Sequence, residues 1–126
     1  GGGYGALALL LNRLGMDARS YHGYDYPELH ILQGHYLDKV AGITTQEVIE
    51  PWRGAFDLFV AIRSLNEAPE QEQIEFLSTL EARFLLINCT DRCSIVELLY
   101  DDPRWDWKIE KTDHIPGGLY MFGVAH

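Results

Sequence analysis

The sequence has little of what membrane and export segments require. No apolar run in its 126 residues approaches the roughly 20 residues that a transmembrane helix needs. The N-terminus lacks the basic segment followed by an apolar stretch that marks a signal peptide. These features predict a cytoplasmic protein with no membrane partner.

Cysteine is also scarce, and only Cys89 and Cys93 occur. Their spacing fits neither a redox pair nor half of a zinc site, so two reduced thiols are the simpler interpretation. Neither thiol has a histidine or lysine beside it in sequence, although Arg92 is close. His30 and His35 are five residues apart and do not share one helix face. We therefore expect no metal site.

Basic residues are few. The chain has 10 Lys and Arg against 19 Asp and Glu, which gives a formal net charge of -9 at pH 7. A nucleic-acid-binding surface needs a basic face to meet phosphates, and anionic lipid makes the same demand. The charge balance therefore predicts no nucleic-acid partner, and acidity by itself names no other partner.

Apolar side chains are plentiful, at 47% of the sequence, and the length suits a single domain spanning residues 1–126. Helical and strand patterns alternate along the chain, which predicts an α/β, three-layer sandwich with helices on both faces of a mostly parallel sheet. The last two strands are close enough in sequence to form an antiparallel hairpin at the C-terminus. The predicted helices are 6–14, 28–40, 70–82 and 94–100, and the predicted strands are 19–24, 44–49, 56–62, 83–89, 105–112 and 119–125.

The chain opens on a glycine-rich turn, Gly1-Gly2-Gly3-Tyr4-Gly5, which leads directly into the first predicted helix. Such a turn normally follows a buried strand, so we expect the first strand to lie before Gly1 or to be missing from a truncated domain. Glycines let a ligand lie against the backbone, and a helix N-terminus favours an anionic group. The spacing Gly1-x-Gly3-x-x-Ala6 also fits the dinucleotide-binding fingerprint.

Asp25 follows the short predicted strand 19–24 and comes two residues before Pro27. Both oxygens of a carboxylate accept hydrogen bonds, so an aspartate at this position can hold the two vicinal hydroxyls of a ribose. The alternative is an ordinary turn aspartate before a proline.

These features resemble a class I, Rossmann-like S-adenosylmethionine-dependent methyltransferase over essentially the whole chain. The glycine turn resembles the loop after that family's first strand, and Asp25 is similar to the acid at the end of its second strand. Phe56-Asp57-Leu58 resembles the start of the fourth strand. The closing hairpin, residues 107–125, resembles the antiparallel ending that separates this fold from nucleotide-binding dehydrogenases.

Two shorter segments resemble narrower groups within that class. Asp25-Tyr26-Pro27 is similar to the Asp-Leu-Pro of many small-molecule O-methyltransferases. Ser64-Leu65-Asn66-Glu67 is similar to a segment of the sugar O-methyltransferases. The resemblance implies S-adenosyl-L-methionine as cofactor and a small-molecule acceptor, with a hydroxyl as the methylated group.

Ligands of open α/β sheets lie outside the carboxyl ends of the strands, which places the remaining site residues. Methylation of an oxygen acceptor is helped by a base that removes its proton, and Glu67 and His114 are the catalytic candidates. The alternative for each is an ordinary exposed loop residue without a catalytic role. The cofactor-binding candidates are Gly1, Gly3, Gly5, Asp25, Ala61 and Arg63, and the substrate-binding candidates are Ser64 and Asn66.

Two other functions fit the same pattern. The glycine turn and Asp25 also suit an NAD(P)-dependent oxidoreductase domain. A non-catalytic Rossmann-like module that binds a nucleotide or a protein partner is the third reading. The acceptor and the oligomeric state stay open.

Overall fold

The computed structural model describes residues 3, 5–17, 20–43, 46–47, 54–91 and 93–126. The chain divides into two compact units, Gly1–Trp52 and Arg53–His126. Each unit has its own cluster of buried apolar side chains. Among the described residues, no helix has the length and apolar character to cross a membrane.

The first unit contains two helices and two short strands. They are α1 Ala6–Arg13, β1 His22–Gly23, α2 Pro27–Ala41 and β2 Gln46–Glu47. Strands β1 and β2 pair in parallel. The core consists of Ala8, Leu9, Leu37 and Ile43. Both predicted helices are confirmed to within a residue, whereas several residues of the predicted strands 19–24 and 44–49 lie outside the described residues.

The second unit contains a four-stranded sheet in the order β3-β4-β6-β5. Its core joins Leu77 of α3 and Ile95 and Leu99 of α4 to apolar side chains of the sheet. The elements are β3 Ala55–Ile62, a 3-10 turn Leu65–Glu67, α3 Glu70–Thr79, β4 Glu81–Thr90, α4 Ser94–Tyr100, β5 Trp105–Lys111 and β6 Gly118–Ala125.

This sheet is mixed, so the prediction of a mostly parallel sheet is wrong. Only β3 and β4 run parallel, whereas β6 runs antiparallel to both β4 and β5. The predicted hairpin is confirmed, but its second strand enters the sheet between β4 and β5. The physical reason is burial: Leu119 and Met121 of β6 need cover on both sides, whereas β5 alternates charged side chains that an edge strand tolerates.

Helix α3 ends at Thr79, three residues before the predicted end, and β4 begins at Glu81. The side chain of Arg104 caps the C-terminal end of this helix. Its guanidinium donates to the carbonyl oxygens of Leu77 at 2.8 Å and Leu80 at 3.0 Å. The carbonyl oxygen of Leu77 also accepts the N–H of Leu80 at 3.3 Å, so Arg104 supplies it with a second donor. A cation at the end of a helix also complements the helix dipole.

Arg104 is itself held in place by two neighbours. Its Nη2 lies 2.6 Å from the carboxylate of Asp102, and its guanidinium lies 4.2 Å from the centre of the Trp105 ring. The indole N–H of Trp105 in turn donates to the carbonyl oxygen of Ala82 at 2.9 Å. One side chain therefore joins the end of α3 to the beginnings of β4 and β5.

We expect Arg104→Met to lower the free energy of unfolding by about 1–3 kcal/mol, because it removes the guanidinium donors to two part-buried carbonyls and to the side chain of Asp102. Denaturant unfolding followed by circular dichroism measures this loss. Arg83→Met is the matched control, since Arg83 is an exposed arginine that lies over a single ring, that of Phe84. Equal losses in the two variants would contradict the role given to Arg104.

The same interaction has a pH dependence of known sign. Hydrogen bonding from the Arg104 side chain holds the pKa of Asp102 below its ordinary value. A lowered folded-state pKa stabilises the fold above the unfolded-state pKa, and this stabilisation is lost as the pH falls through the folded-state pKa. The difference between wild type and Arg104→Met should therefore shrink in acid.

Candidate functional site

The first unit brings the glycine turn and Asp25 together. The backbone N–H of Gly3 donates to Oδ2 of Asp25 at 3.1 Å, although the residues are 22 positions apart. Oδ1 of the same carboxylate accepts the N–H of Tyr26 at 2.9 Å. Gly1, the remaining glycine of the predicted fingerprint, lies outside the described residues. Two features predicted separately from the sequence thus share one hydrogen bond.

Gly3 and Gly5 both have left-handed backbone conformations, with φ of 53° and 86°. A Cβ at Gly5 would lie 2.9 Å from Cγ of Gln33 and from Cδ1 of Leu37. Gly5 is therefore required for the approach of α2 to the start of α1. At Gly3 the position of a Cβ is open, with no described atom within 4 Å. The predicted role of glycine in admitting a ligand thus fits Gly3 better than Gly5.

Helix α1 begins directly after Gly5, which carries no side chain to cap it. Its first turn also contains no acidic residue. The first N–H groups of a helix point outward and form the positive end of its dipole. A carboxylate or phosphate would be stabilised at this end of α1.

We expect Gly5→Ala and Gly34→Ala to change stability in opposite directions. Gly5→Ala should cost about 1–3 kcal/mol, because it combines a positive φ with a collision against α2. Gly34 is an exposed residue within α2 with open space around it. Alanine there should stabilise the helix by about 0.5–1 kcal/mol. Denaturant midpoints measure both, and a neutral Gly5→Ala would contradict the packing described for α1 and α2.

In the second unit, the carboxyl ends of β3 and β4 lie at the same edge of the sheet as the turn of the hairpin. Thr90 is paired with Gly118, and the N–H of Asp91 donates to the carbonyl oxygen of Gly117 at 2.7 Å. The predicted site residues of this unit lie on or beside this carboxyl edge: Ala61, Arg63, Ser64, Asn66, Glu67 and His114.

These residues differ in what they present at the carboxyl edge. Ala61 is 4% exposed and belongs to the core beneath α3 and α4. Ser64 is half-buried. The other four side chains, those of Arg63, Asn66, Glu67 and His114, are exposed.

Arg63 has an unusual backbone. With φ of 58°, it is the one non-glycine residue of positive φ in the described part of the chain. Its N–H donates to the carbonyl oxygen of Asn88 at 2.9 Å, which fixes the turn that leaves β3. A residue other than glycine in this backbone conformation carries strain of about 1–3 kcal/mol, and such strain clusters at functional sites.

Two buried polar residues at the carboxyl edge were not predicted as site residues from the sequence. Asn88 is 4% exposed, and its side-chain amide donates to the carbonyl oxygen of Leu119 at 2.9 Å. Thr112 is 7% exposed, and its hydroxyl has no hydrogen-bond partner among the described residues. Asn88 breaks an apolar run at the end of a strand, and that was the available signal. Nothing in the local pattern marks Thr112 as buried.

The thiols are not placed for chemistry. Burial, and to a lesser degree the neighbouring Cys93, raises the pKa of Cys89 to about 11. At neutral pH Cys89 is therefore a protonated thiol rather than a nucleophile. Both cysteines are free, and within the described ranges no three His, Cys, Asp or Glu residues are grouped to hold a metal ion.

No protein-family model matches the sequence, and no curated protein matches it. Solved structures do match the fold, and two of them are rRNA methylases. The 16S rRNA methylase RmtB matches with a TM-score of 0.65 and 13% identity, over 94% of this chain and 51% of that chain. An rRNA methylase from Escherichia coli matches with a TM-score of 0.61 and 16% identity, over 98% of this chain and 54% of that chain.

At these identities the likeness shows the fold alone, which is an α/β fold similar to those of these two proteins. The chain spans about half the length of each of these two proteins. Neither of them supports the narrower resemblance to sugar O-methyltransferases.

The predicted partners need correction. We predicted a small-molecule acceptor and no nucleic acid, and the finding that both neighbours are rRNA methylases contradicts this. The physical error was to treat net charge as a description of a surface. Net charge sums the whole chain, whereas binding to a phosphate backbone depends on where individual cations lie.

Proposed function

We propose that this chain binds S-adenosylmethionine and carries the cofactor-binding part of a methyltransferase. The observation that carries the proposal is the hydrogen bond from the N–H of Gly3 to the carboxylate of Asp25. This bond joins the glycine turn to Asp25, the acid that is predicted to bind the hydroxyls of a ribose. The fold shared with two rRNA methylases supports the proposal.

The residues of the first unit fit the chemistry of this cofactor. A carboxylate can accept about four hydrogen bonds, so the two backbone bonds to Asp25 do not by themselves exclude a pair of ribose hydroxyls. The N-terminus of α1 suits the carboxylate of the methionine part, and Gly3 leaves its side of the turn open. When bound, S-adenosylmethionine supplies a methyl group on a sulfonium sulfur, and the transfer leaves S-adenosylhomocysteine.

The residues of the carboxyl edge would serve the transfer itself, which is an in-line displacement that depends on alignment. In this proposal Ala61 contributes its backbone and Arg63 its side chain to cofactor binding. Ser64 and Asn66 hold the acceptor through hydrogen bonds. Glu67 and His114 are the two exposed groups proposed to take a proton from it.

Asp25→Asn should weaken the binding of S-adenosylhomocysteine about 10- to 100-fold, because it removes the charge from an acceptor of hydroxyl hydrogen bonds. Calorimetric titration of this chain measures the affinity. Asp38→Asn is the matched control, since Asp38 is an exposed aspartate on α2 whose contact is with the neighbouring Lys39.

The same titration is run with NADH, because the glycine turn and Asp25 also suit a dinucleotide. Binding of NADH without S-adenosylhomocysteine would favour the oxidoreductase alternative. Binding of neither compound would contradict the proposed cofactor and leave the non-catalytic binding module.

We propose further that the methyl acceptor is RNA. Both neighbours are rRNA methylases, and this is the support for the class of acceptor. In this acidic chain, Arg63 and Lys111 nevertheless lie at the carboxyl edge, and both are exposed. Cations at the edge that holds the reacting groups would position a phosphate backbone without carrying sequence information.

Arg63→Ala should weaken binding to a ribosomal RNA fragment and reduce the slope of log K against log salt by about one. Fluorescence anisotropy over a series of salt concentrations gives both quantities. Arg83→Ala is the matched control, because Arg83 is an exposed arginine near the opposite end of β4. Equal effects of the two variants, or no RNA binding even at low salt, would contradict RNA as the acceptor.

A further inference from the structure

His30 contacts the backbone of the candidate ribose-binding acid. The N–H of Asp25 donates to Nε2 of His30 at 3.0 Å. A ring nitrogen accepts a hydrogen bond only through a lone pair, so Nε2 of His30 is the acceptor in this contact. The histidine is half-buried, and its contact with Asp25 is not used by the function proposed above.

The start of α2 explains why His30 reaches this position. Pro27 is the first helical residue and Tyr26 is the N-cap, so Asp25 is the residue before the cap and His30 is the fourth residue of the helix. Side chains of a helix lean toward its N-terminus, which brings the fourth residue against the residue before the cap. The hydrophobic staple uses the same pair of positions, here filled by a polar contact.

The imidazole ring is also held by its surroundings. The position of a Cβ at Gly23 lies 3.5 Å from Cε1 of His30 and 3.1 Å from Oε1 of Gln33. The His30 ring therefore lies close to the end of β1, at a distance where a Cβ would make an ordinary contact. Gln33 is 2% exposed, so the helix face beside the ring is packed.

Asp25 is consequently fixed at three atoms. His30 accepts from its backbone N–H, Gly3 donates to Oδ2, and Tyr26 donates to Oδ1. Both of these hydrogen bonds to the carboxylate come from backbone groups, one beside it and one in the glycine turn. The contact on the backbone comes from the helix and sets the direction from which the carboxylate projects.

We infer that His30 is a positioning residue for cofactor binding. By accepting the N–H of Asp25, it holds the carboxylate in the orientation that receives the two ribose hydroxyls, and it does not itself touch the cofactor. The inference rests on the proposed function, since it assigns His30 to the same binding site.

The test separates the acceptor atom of His30 from the bulk of its ring. His30→Phe keeps a ring but removes the acceptor, whereas His30→Gln offers an amide oxygen at a similar distance from the backbone. His35→Phe makes the same change at an exposed position of the same helix and serves as the matched control. Circular dichroism and thermal unfolding establish that each variant is folded.

Two readouts are measured on the chain as it exists. The first is the affinity for S-adenosylhomocysteine relative to its 2′,3′-dideoxy analogue, which reports the use of the ribose hydroxyls. The second is the hydrogen-exchange rate of the Asp25 amide without cofactor. We expect His30→Phe to narrow the ribose discrimination about three- to tenfold and to speed exchange of this amide, because one hydrogen bond is lost. His30→Gln should restore both, and His35→Phe should change neither.

The outcomes distinguish the inference from the function beneath it. If wild type discriminates the two compounds and His30→Phe discriminates equally well, the positioning role is overturned and the proposed cofactor stands. A parallel loss of affinity for both compounds, with the ratio unchanged, also overturns it, since that result indicates a structural role alone. If wild type does not bind S-adenosylhomocysteine, the proposed function fails and the inference fails with it, whatever the exchange rate of the amide.

Discussion

Strand β4 is hydrogen-bonded along both of its edges, and the arrangement of the second unit depends on this double pairing. Its parallel pairing with β3 places Ile62 beside Asn88, so the carboxyl ends of the two strands coincide. Its antiparallel pairing with β6 places Thr90 beside Gly118, which brings the hairpin turn to the same edge. A slip of one residue in either register would turn the buried side chains of β4 to the opposite face. The position of the carboxyl edge is therefore set by the register of the strands and does not depend on the side chains that lie there.

The first unit arranges its own candidate residues by a different route. Each of its two strands spans two of the described residues, so a sheet edge fixes little in that part of the unit. The start of α2 takes that role: the proline at its first position fixes where the helix begins, and the helix then directs His30 toward Asp25. The glycine turn reaches the same aspartate from the other side. Each element alone fixes little. Together, the start of α2 and the glycine turn both form hydrogen bonds with Asp25.

Local patterns in the sequence predicted the elements whose signal is local. The leucine spacing of α1 and the glycine at the end of α2 are of this kind. The end of α3 was missed because the apolar period continues through Leu80, while the carbonyls near it are satisfied by Arg104, more than 20 residues further along the chain. The insertion of β6 beside β4 was missed for the same reason, since pairing between distant strands leaves no mark in either segment. Among the candidate site residues, Asp25 could be predicted because an acid at the end of a strand has a recognisable use.

His30 shows why a residue can be visible in a sequence while its contact is not. His30 and His35 were considered together as metal ligands, and their separation of five residues argued against a shared metal ion. Its partner in the structure is a backbone N–H, and every residue except proline offers one, so no sequence pattern identifies it. Position relative to the helix start was the usable signal, because the fourth residue of a helix lies against the residue before its cap. A histidine at that position, following an aspartate before a Tyr-Pro helix start, is thus a pattern that can be sought in other chains with a glycine turn upstream.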